Sequence, residues 1–232
     1  MRVVRLKMYQ EMARFNNPSA PRGADCYPLP PFSTVNGFIH SMCQWKRYHK
    51  LDYFVTGKGI YNTKVQKEWY GGYNFNKISN EMLKRWDIIT DYADGSHAGW
   101  VSTVKYHLML VDLYTTIYIK ADDSDIDDMY HALLNPPVYP SLGEYGDLCK
   151  IEAVDIVELK ELDKPISAPL DTQSYIPVNK GNFAGTIYRI NNKYEIVKGL
   201  RRFQKVPCYL VDKEQEVMSN LFDDDKPIIF ID

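Results

Sequence analysis

The 232-residue sequence has no C-x-x-C pair, no long apolar run and no marked excess of one charge. Cys26, Cys43, Cys149 and Cys208 stand 17, 106 and 59 positions apart. That spacing argues against a structural zinc site or a dithiol redox pair. Four reduced, mostly buried thiols of a cytoplasmic protein are expected instead. The stretch Leu29–Trp45 carries no formal charge, but two prolines and several polar residues keep it from crossing a bilayer. The opening residues MRVVRLKMYQ scatter charge through their length, so no signal peptide and no membrane association are expected. The motifs G-x-x-x-x-G-K-[ST], G-x-S-x-G and H-E-x-x-H are missing. Gly57-Lys58-Gly59 is too short to cradle a triphosphate. The five histidines show no ligand spacing except that His97 and His107 flank one predicted strand, and the Asp122–Asp128 cluster lacks the glycine and closing glutamate of a calcium loop. No metal and no other cofactor is expected.

What is present is an ordinary globular composition, 45% hydrophobic and 25% charged, with one departure: 18 tyrosines. The net charge of −2 is a cancellation. Residues 1–120 carry 16 Lys and Arg against 9 Asp and Glu, and residues 121–232 carry 12 against 21. Such asymmetry suggests an anionic partner for part of the molecule. From Lys46 to Arg85 basic residues interleave with Tyr48, Tyr53, Tyr61, Trp69, Tyr70 and Tyr73. Single-stranded nucleic acid is held by that pairing of cations for phosphates with flat rings for bases; strand propensity alone also favours the rings. A second basic stretch, Tyr175–Lys205, has seven Lys and Arg and one acid, Glu195. It reads equally well as a solvated sheet face.

Val3, Val4, Leu6 and Met8 predict a first strand. Pro30 and Pro31 stop earlier structure. Val35, Phe38, Ile39, Met42 and Trp45 then predict a helix, capped by Ser33 or Thr34 and closed by Lys46, Arg47 and Lys50. Residues 51–72 read as a strand or hairpin broken by Gly57 and Gly59, residues 73–100 as a projecting excursion, and 101–120 as a strand. An acidic start at Asp122, Asp123 and Asp125 opens a helix that Pro136 and Pro137 end. Leu148–Leu159 predicts a strand. Beyond a boundary at Lys164–Pro169 come a β-rich segment, Thr186–Val197, with a turn at Asn191-Asn192, and a last long strand, Leu200–Val211. The order strand, helix, strand, strand, helix, strand is that of an α+β, ferredoxin-like (RRM-like) domain. The expected division is 1–162 for that domain, with an insertion at about 73–100, and 163–232 for a small β-rich C-terminal extension.

Pro30-Pro31-Phe32-Ser33-Thr34-Val35-Asn36-Gly37-Phe38 resembles the first-helix signature of the CRISPR-associated Cas five family, in the RAMP superfamily. Tyr139-Pro140-Ser141-Leu142-Gly143 resembles that family's glycine loop before the last strand of the ferredoxin-like unit. One motif opens the first helix, the other follows the second, and the excursion sits where the family carries its thumb. The resemblance spans most of residues 1–160 and is nearest the subtype I-B branch. It implies an RNA-binding subunit of a type I Cascade ribonucleoprotein complex in antiviral defence. That subunit would hold the 5′ handle of the CRISPR RNA, pack on the backbone and large subunits, and meet target DNA through the assembled complex. Handle contacts are expected from Ser33, Thr34 and Asn36 at a helix N-terminus, and phosphate contacts from Arg14, Arg22, Lys46 and Arg47. Lys77, Lys84, Arg85 and Trp86 are expected to serve the thumb.

Two departures qualify the resemblance. A subtype I-C branch is instead a metal-independent endoribonuclease processing precursor RNA with Tyr, Lys and His. Here Cys43 and Gln44 stand at the tyrosine's place, and Asp122 and Asp123 at the Lys-His pair's. Metal-free RNA cleavage needs a base and a cation, so a non-catalytic protein is expected; Lys105, Tyr106 and His107 form a displaced alternative. After Leu142-Gly143 the chain carries Glu144 and Asp147 where basic residues are common. If the loop meets RNA it must use backbone amides at Gly143, Tyr145 or Gly146; a tight turn packing on a neighbouring subunit fits as well.

Overall fold

In the computed structural model the described residues are 1–18, 25–75, 81, 84 and 86–231. They form an α+β chain, dominated by antiparallel sheet with two long helices. In chain order come β1 (Arg2–Ala13), α1 (Phe32–Met42), β2 (Asp52–Phe75), β3 (Ile88–Asp91), β4 (His97–Lys120), α2 (Asp123–Leu134) and β5 (Lys150–Glu158). The rest is strand: β6 (Lys160–Pro169), β7 (Gln173–Pro177), β8 (Ile187–Val197), β9 (Leu200–Val211), β10 (Glu216–Asp223) and β11 (Lys226–Ile228), with a 3-10 turn at Val178–Lys180.

The main sheet runs β5-β1-β4-β2-β7-β9-β8, with β3 added alongside the start of β4. A second sheet, β11-β10-β6, has three strands. Alternation decides the layers. Leu6 faces Ile117 on β4 and Val154 on β5, and all three point to the helix side. There they pack under Phe32, Val35 and Ile39 of α1 and Ile126, Met129 and Leu133 of α2. The opposite face buries Val3, Phe54 and Tyr118 under Val217, Ile228 and Phe230, from the small sheet and the chain's last residues.

Several expectations need correction. Of the strand or hairpin expected at 51–72 the strand is present, and it is not broken at Gly57 and Gly59: these residues belong to β2, antiparallel to β4 along both lengths. A register shift between Lys58 and Ile60 absorbs the interruption at Gly59. The excursion at 73–100 contains β3 and the start of β4. The Asn191-Asn192 turn is instead a bulge inside β8, with the register shifting between Asn191 and Tyr194. The turn falls at Lys198-Gly199, whose φ values of 52° and 78° suit a two-residue hairpin.

The ends of α1 also differ. Its N-cap is Pro31 and no side chain caps it, so Ser33 and Thr34 stand inside the first turn. The Thr34 and Val35 amides donate to the Pro31 carbonyl at 2.9 and 3.0 Å. Lys46, Arg47 and Lys50 do not close the helix, which stops at Met42. Gln44 adopts a left-handed φ of 53°, the Gln44 amide donates to Ser41 and the Trp45 amide to His40. This paired closure turns the chain off the helix axis.

No helix among the described residues is long and apolar enough to cross a membrane.

Candidate functional site

The early stop of α1 builds the site. Because the chain turns at Gln44, residues 45–48 fold back beside the helix. On the far side, the β8 bulge brings Asn192 and Lys193 toward the same helix face. The result is a cleft of about 500 Å³ between α1, the connection after it and the β8–β9 hairpin. Ser33, Thr34, Asn36 and His40 line it from α1, Lys46 and Arg47 from the connection, and Lys193 and Arg201 from the hairpin. Rings complete the walls: Trp45 and Tyr48 on one side, Tyr194 and Phe203 on the other.

Lys46, Arg47 and Lys193 make no ion pair among the described residues. Arg201 lies over the Tyr194 ring, 4.9 Å from its centroid. Tyr194 in turn packs edge-on against Phe203, 5.6 Å away. Trp45 stacks on His49 at 3.9 Å with planes 10° apart. His49 is fixed to α2 through Asp125, 3.0 Å from Nδ1. Rings held by neighbours and cations left unpaired suit a ligand with both planar and anionic parts.

His40 governs the connection. Its Nδ1 donates to the Asn36 carbonyl at 2.9 Å, and its Nε2 accepts the His49 amide at 3.3 Å. The second contact requires the neutral ring, because a protonated Nε2 cannot accept. Burial, with a smaller push from His49, holds the His40 pKa below its ordinary value.

A smaller cleft, about 200 Å³, adjoins this one through Thr34. Arg14, Phe15, Asn16, Pro31, Gly143 and Glu144 complete its lining. Arg14 is nearly buried and its guanidinium donates to Glu144 at 3.1 Å. The Asp147 carboxylate accepts the Arg14 and Glu144 amides, each at 2.8 Å. The acids of the glycine loop thus hold the turn and β1 together. Gly146 is exposed and lines neither cleft.

Of the residues expected from sequence, Ser33, Thr34, Asn36, Lys46 and Arg47 meet in the large cleft; Arg14 and Gly143 meet in the small one. Lys84 is exposed and lines neither, and Trp86 lies against Gly99, where an added methyl would overlap the indole. Arg22, Lys77 and Arg85 fall outside the described residues. Lys193, Tyr194, Arg201 and Phe203 carry no site motif in the sequence; the seven-cation stretch in the tail is their only signal. The four cysteines are free, and burial raises their thiols to about 11 for Cys26 and about 12 for the others. No group of three metal-ligating side chains occurs among the described residues.

No protein-family model and no curated protein matches the sequence. Among solved structures, the fold resembles a chain of a "CRISPR RNA-guided surveillance complex" with a TM-score of 0.53, over 93% of this chain and 91% of that one. The identity is 17%, so the likeness is one of fold. A CRISPR protein from Archaeoglobus fulgidus aligns over 98% of both chains at 9% identity and a TM-score of 0.48. A structure described as a Cas protein aligns over 99% of both at 11% and 0.45. Those two scores are too low to bear on the fold.

Proposed function

We propose that this protein is a non-catalytic RNA-binding subunit of the Cas five kind, holding the 5′ handle of a CRISPR RNA in a type I Cascade complex. The observation that carries this reading is the large cleft. Three unpaired cations and Arg201 surround four aromatic rings beside the first turn of α1, and flat bases on a phosphate chain match that set. The order β5-β1-β4-β2, with α1 and α2 on one face, supports a ferredoxin-like unit over 1–162. The long β2–β4 hairpin supplies its thumb at about 73–100, and 163–232 is the β-rich extension. The fold likeness to a surveillance-complex chain supports the setting: a cytoplasmic ribonucleoprotein, with backbone and large subunits as partners and target DNA reached through the assembly. Subtype I-B is the branch it resembles most.

The endoribonuclease alternative needs Tyr, Lys and His to converge. Lys105, Tyr106 and His107 are consecutive on β4, so Tyr106 points to the opposite face from the other two. Tyr106 is 65% exposed and His107 buried, as that alternation requires. This supports the non-catalytic reading. Precursor CRISPR RNA incubated with the protein in EDTA is expected to stay intact, and specific cleavage would overturn that part.

Binding is tested by anisotropy with labelled handle RNA at several salt concentrations. Arg47→Ala and Lys193→Ala are each expected to weaken binding and to lower the slope of log K against log salt by about 0.7. Unchanged slopes in both variants would remove the cleft from the RNA site.

A further inference from the structure

The sheet face turned away from α1 and α2 carries a second set of rings and cations. Tyr9 on β1 and Tyr114 on β4 are cross-strand partners, their ring centroids 4.8 Å apart and their planes at 44°. Tyr114 is 54% exposed. Its chain neighbours Leu113 and Thr115 are buried on the helix side, which sets the tyrosine outward. Lys58 on β2 stands opposite Tyr114, Lys150 on β5 stands opposite Tyr9, and Lys7 precedes Tyr9 by two positions on the same face. Lys7 and Lys58 make no ion pair among the described residues; Lys150 reaches only Glu152, at 3.6 Å.

A built feature holds the pair. The Tyr9 hydroxyl donates to Asp112 at 2.9 Å. Asp112 has a left-handed φ of 49° and lies where β4 sets two residues, Leu113 and Asp112, against Gly59 alone on β2, between the Lys58–Tyr114 and Ile60–Val111 pairs. It is the extra residue of a bulge that aims its carboxylate at Tyr9. Such bulges cluster where a side chain must be re-aimed, and non-glycine residues rarely keep that backbone without a compensating contact. Beside the tyrosines a shallow pocket of about 100 Å³ is floored by Thr56 and Thr116, with Lys7 on its rim.

We propose that this face is a second nucleic-acid surface, which takes a single-stranded segment with one base stacked on Tyr114 and phosphates at Lys7 and Lys58. Rings on two adjacent central strands, flanked by unpaired lysines, are how a four-stranded sheet stacks unpaired bases. Glu11 and Asp112, at the far end of the tyrosine pair, repel the phosphate chain and confine its path to the lysine side. The proposal stands apart from the cleft and does not rest on it.

The test uses a full-length Lys46→Ala/Arg47→Ala/Lys193→Ala protein, disabled in the cleft, titrated with a short fluorescein-labelled oligouridylate at low salt. Residual binding is expected. Adding Tyr114→Ala should weaken it roughly tenfold, while Tyr114→Phe, which keeps the ring, should bind as the parent does. Lys58→Ala should lower the salt slope. Cross-linking with a thiouridine-substituted oligomer should mark the peptide containing Tyr114. Equal affinity of the parent and Tyr114→Ala would overturn the proposal, as would a face that binds only a protein partner and no oligomer. Loss of all binding in the cleft-disabled protein would overturn it and leave the cleft reading standing. No binding by the unaltered protein would overturn both.

Discussion

At the residue scale, the glycine loop shows how far single side chains depend on distant partners. Glu144 and Asp147 stand where the resemblance leads one to expect basic residues, and the sequence offers no reason for them. The reason lies on β1. Glu144 neutralises Arg14, and Asp147 accepts two backbone amides, one of them from Arg14. Arg14 is accordingly committed to its own chain in addition to lining the small cleft. Gly143 holds φ at 124°, and an added Cβ there would press on the Asp147 carboxylate and the Arg14 carbonyl. Gly143→Ala is expected to destabilise the protein by about 1–3 kcal/mol, read from the midpoint of urea unfolding. A wild-type midpoint would show that the loop yields without strain.

At the element scale, the end of α1 does most to form the cleft. The positions of Val35, Phe38, Ile39 and Met42 announce the helix, yet its stop depends on Gln44 in a conformation more usual for glycine. The same holds for β8, where Asn191-Asn192 looks like a turn and is a bulge. Local residue preferences select the kind of irregularity, while pairing with β9 decides its form. The connection after α1 is held by neutral His40, which gives it a pH dependence. His40 has a lowered pKa in the fold, so the unfolded chain binds the proton more readily. The stability it contributes is therefore present above its ordinary value of about 6.5 and falls as pH drops below that. The charged and titratable groups facing it are His49 and Tyr48 from the connection and Asp125 from α2, while Arg47 reaches it through its backbone. A thermal-unfolding series is expected to show the wild-type protein losing more stability than His40→Gln between neutral and mildly acidic pH. Parallel curves would contradict this.

At the scale of the whole molecule, the C-terminal residues finish both faces of the main sheet. Tyr175 on β7 is wholly buried on the helix side, edge-on to Phe32 at 5.7 Å, and its hydroxyl donates to the Leu29 carbonyl. On the other face Asp223 of β10 accepts from Arg5 and from the Tyr118 hydroxyl, each at 2.7 Å. Arg5 also pairs with Asp155. Burial alone would lower the Arg5 pKa, but these carboxylates hold it above its ordinary value. Removing one partner of such a network strands the other. Asp223→Ala is expected to cost about 3 kcal/mol and to raise hydrogen exchange in β10 and β11. A near-neutral effect would mean that water replaces the carboxylate.

Spacing and local preference in the sequence were enough to determine the α+β class, the order of the first six long elements and the buried face of α1; on α2 they pointed to Met129 and Leu133 but also to Leu134, which is exposed, and passed over Ile126. They also marked a first-helix motif whose Ser33, Thr34 and Asn36 line the large cleft. Those features depend on which side chains lie three, four or two positions apart, which is written in the chain. Tertiary structure alone decided the site. The two halves carry opposite net charge, yet the cleft draws Lys46 and Arg47 from the basic half and Lys193 and Arg201 from the acidic one. They meet because β7 adds to the edge of β2 and carries β9 and β8 after it, within reach of α1. Such pairing joins residues about 150 positions apart through backbone groups that every residue possesses, so no local pattern in the sequence records it.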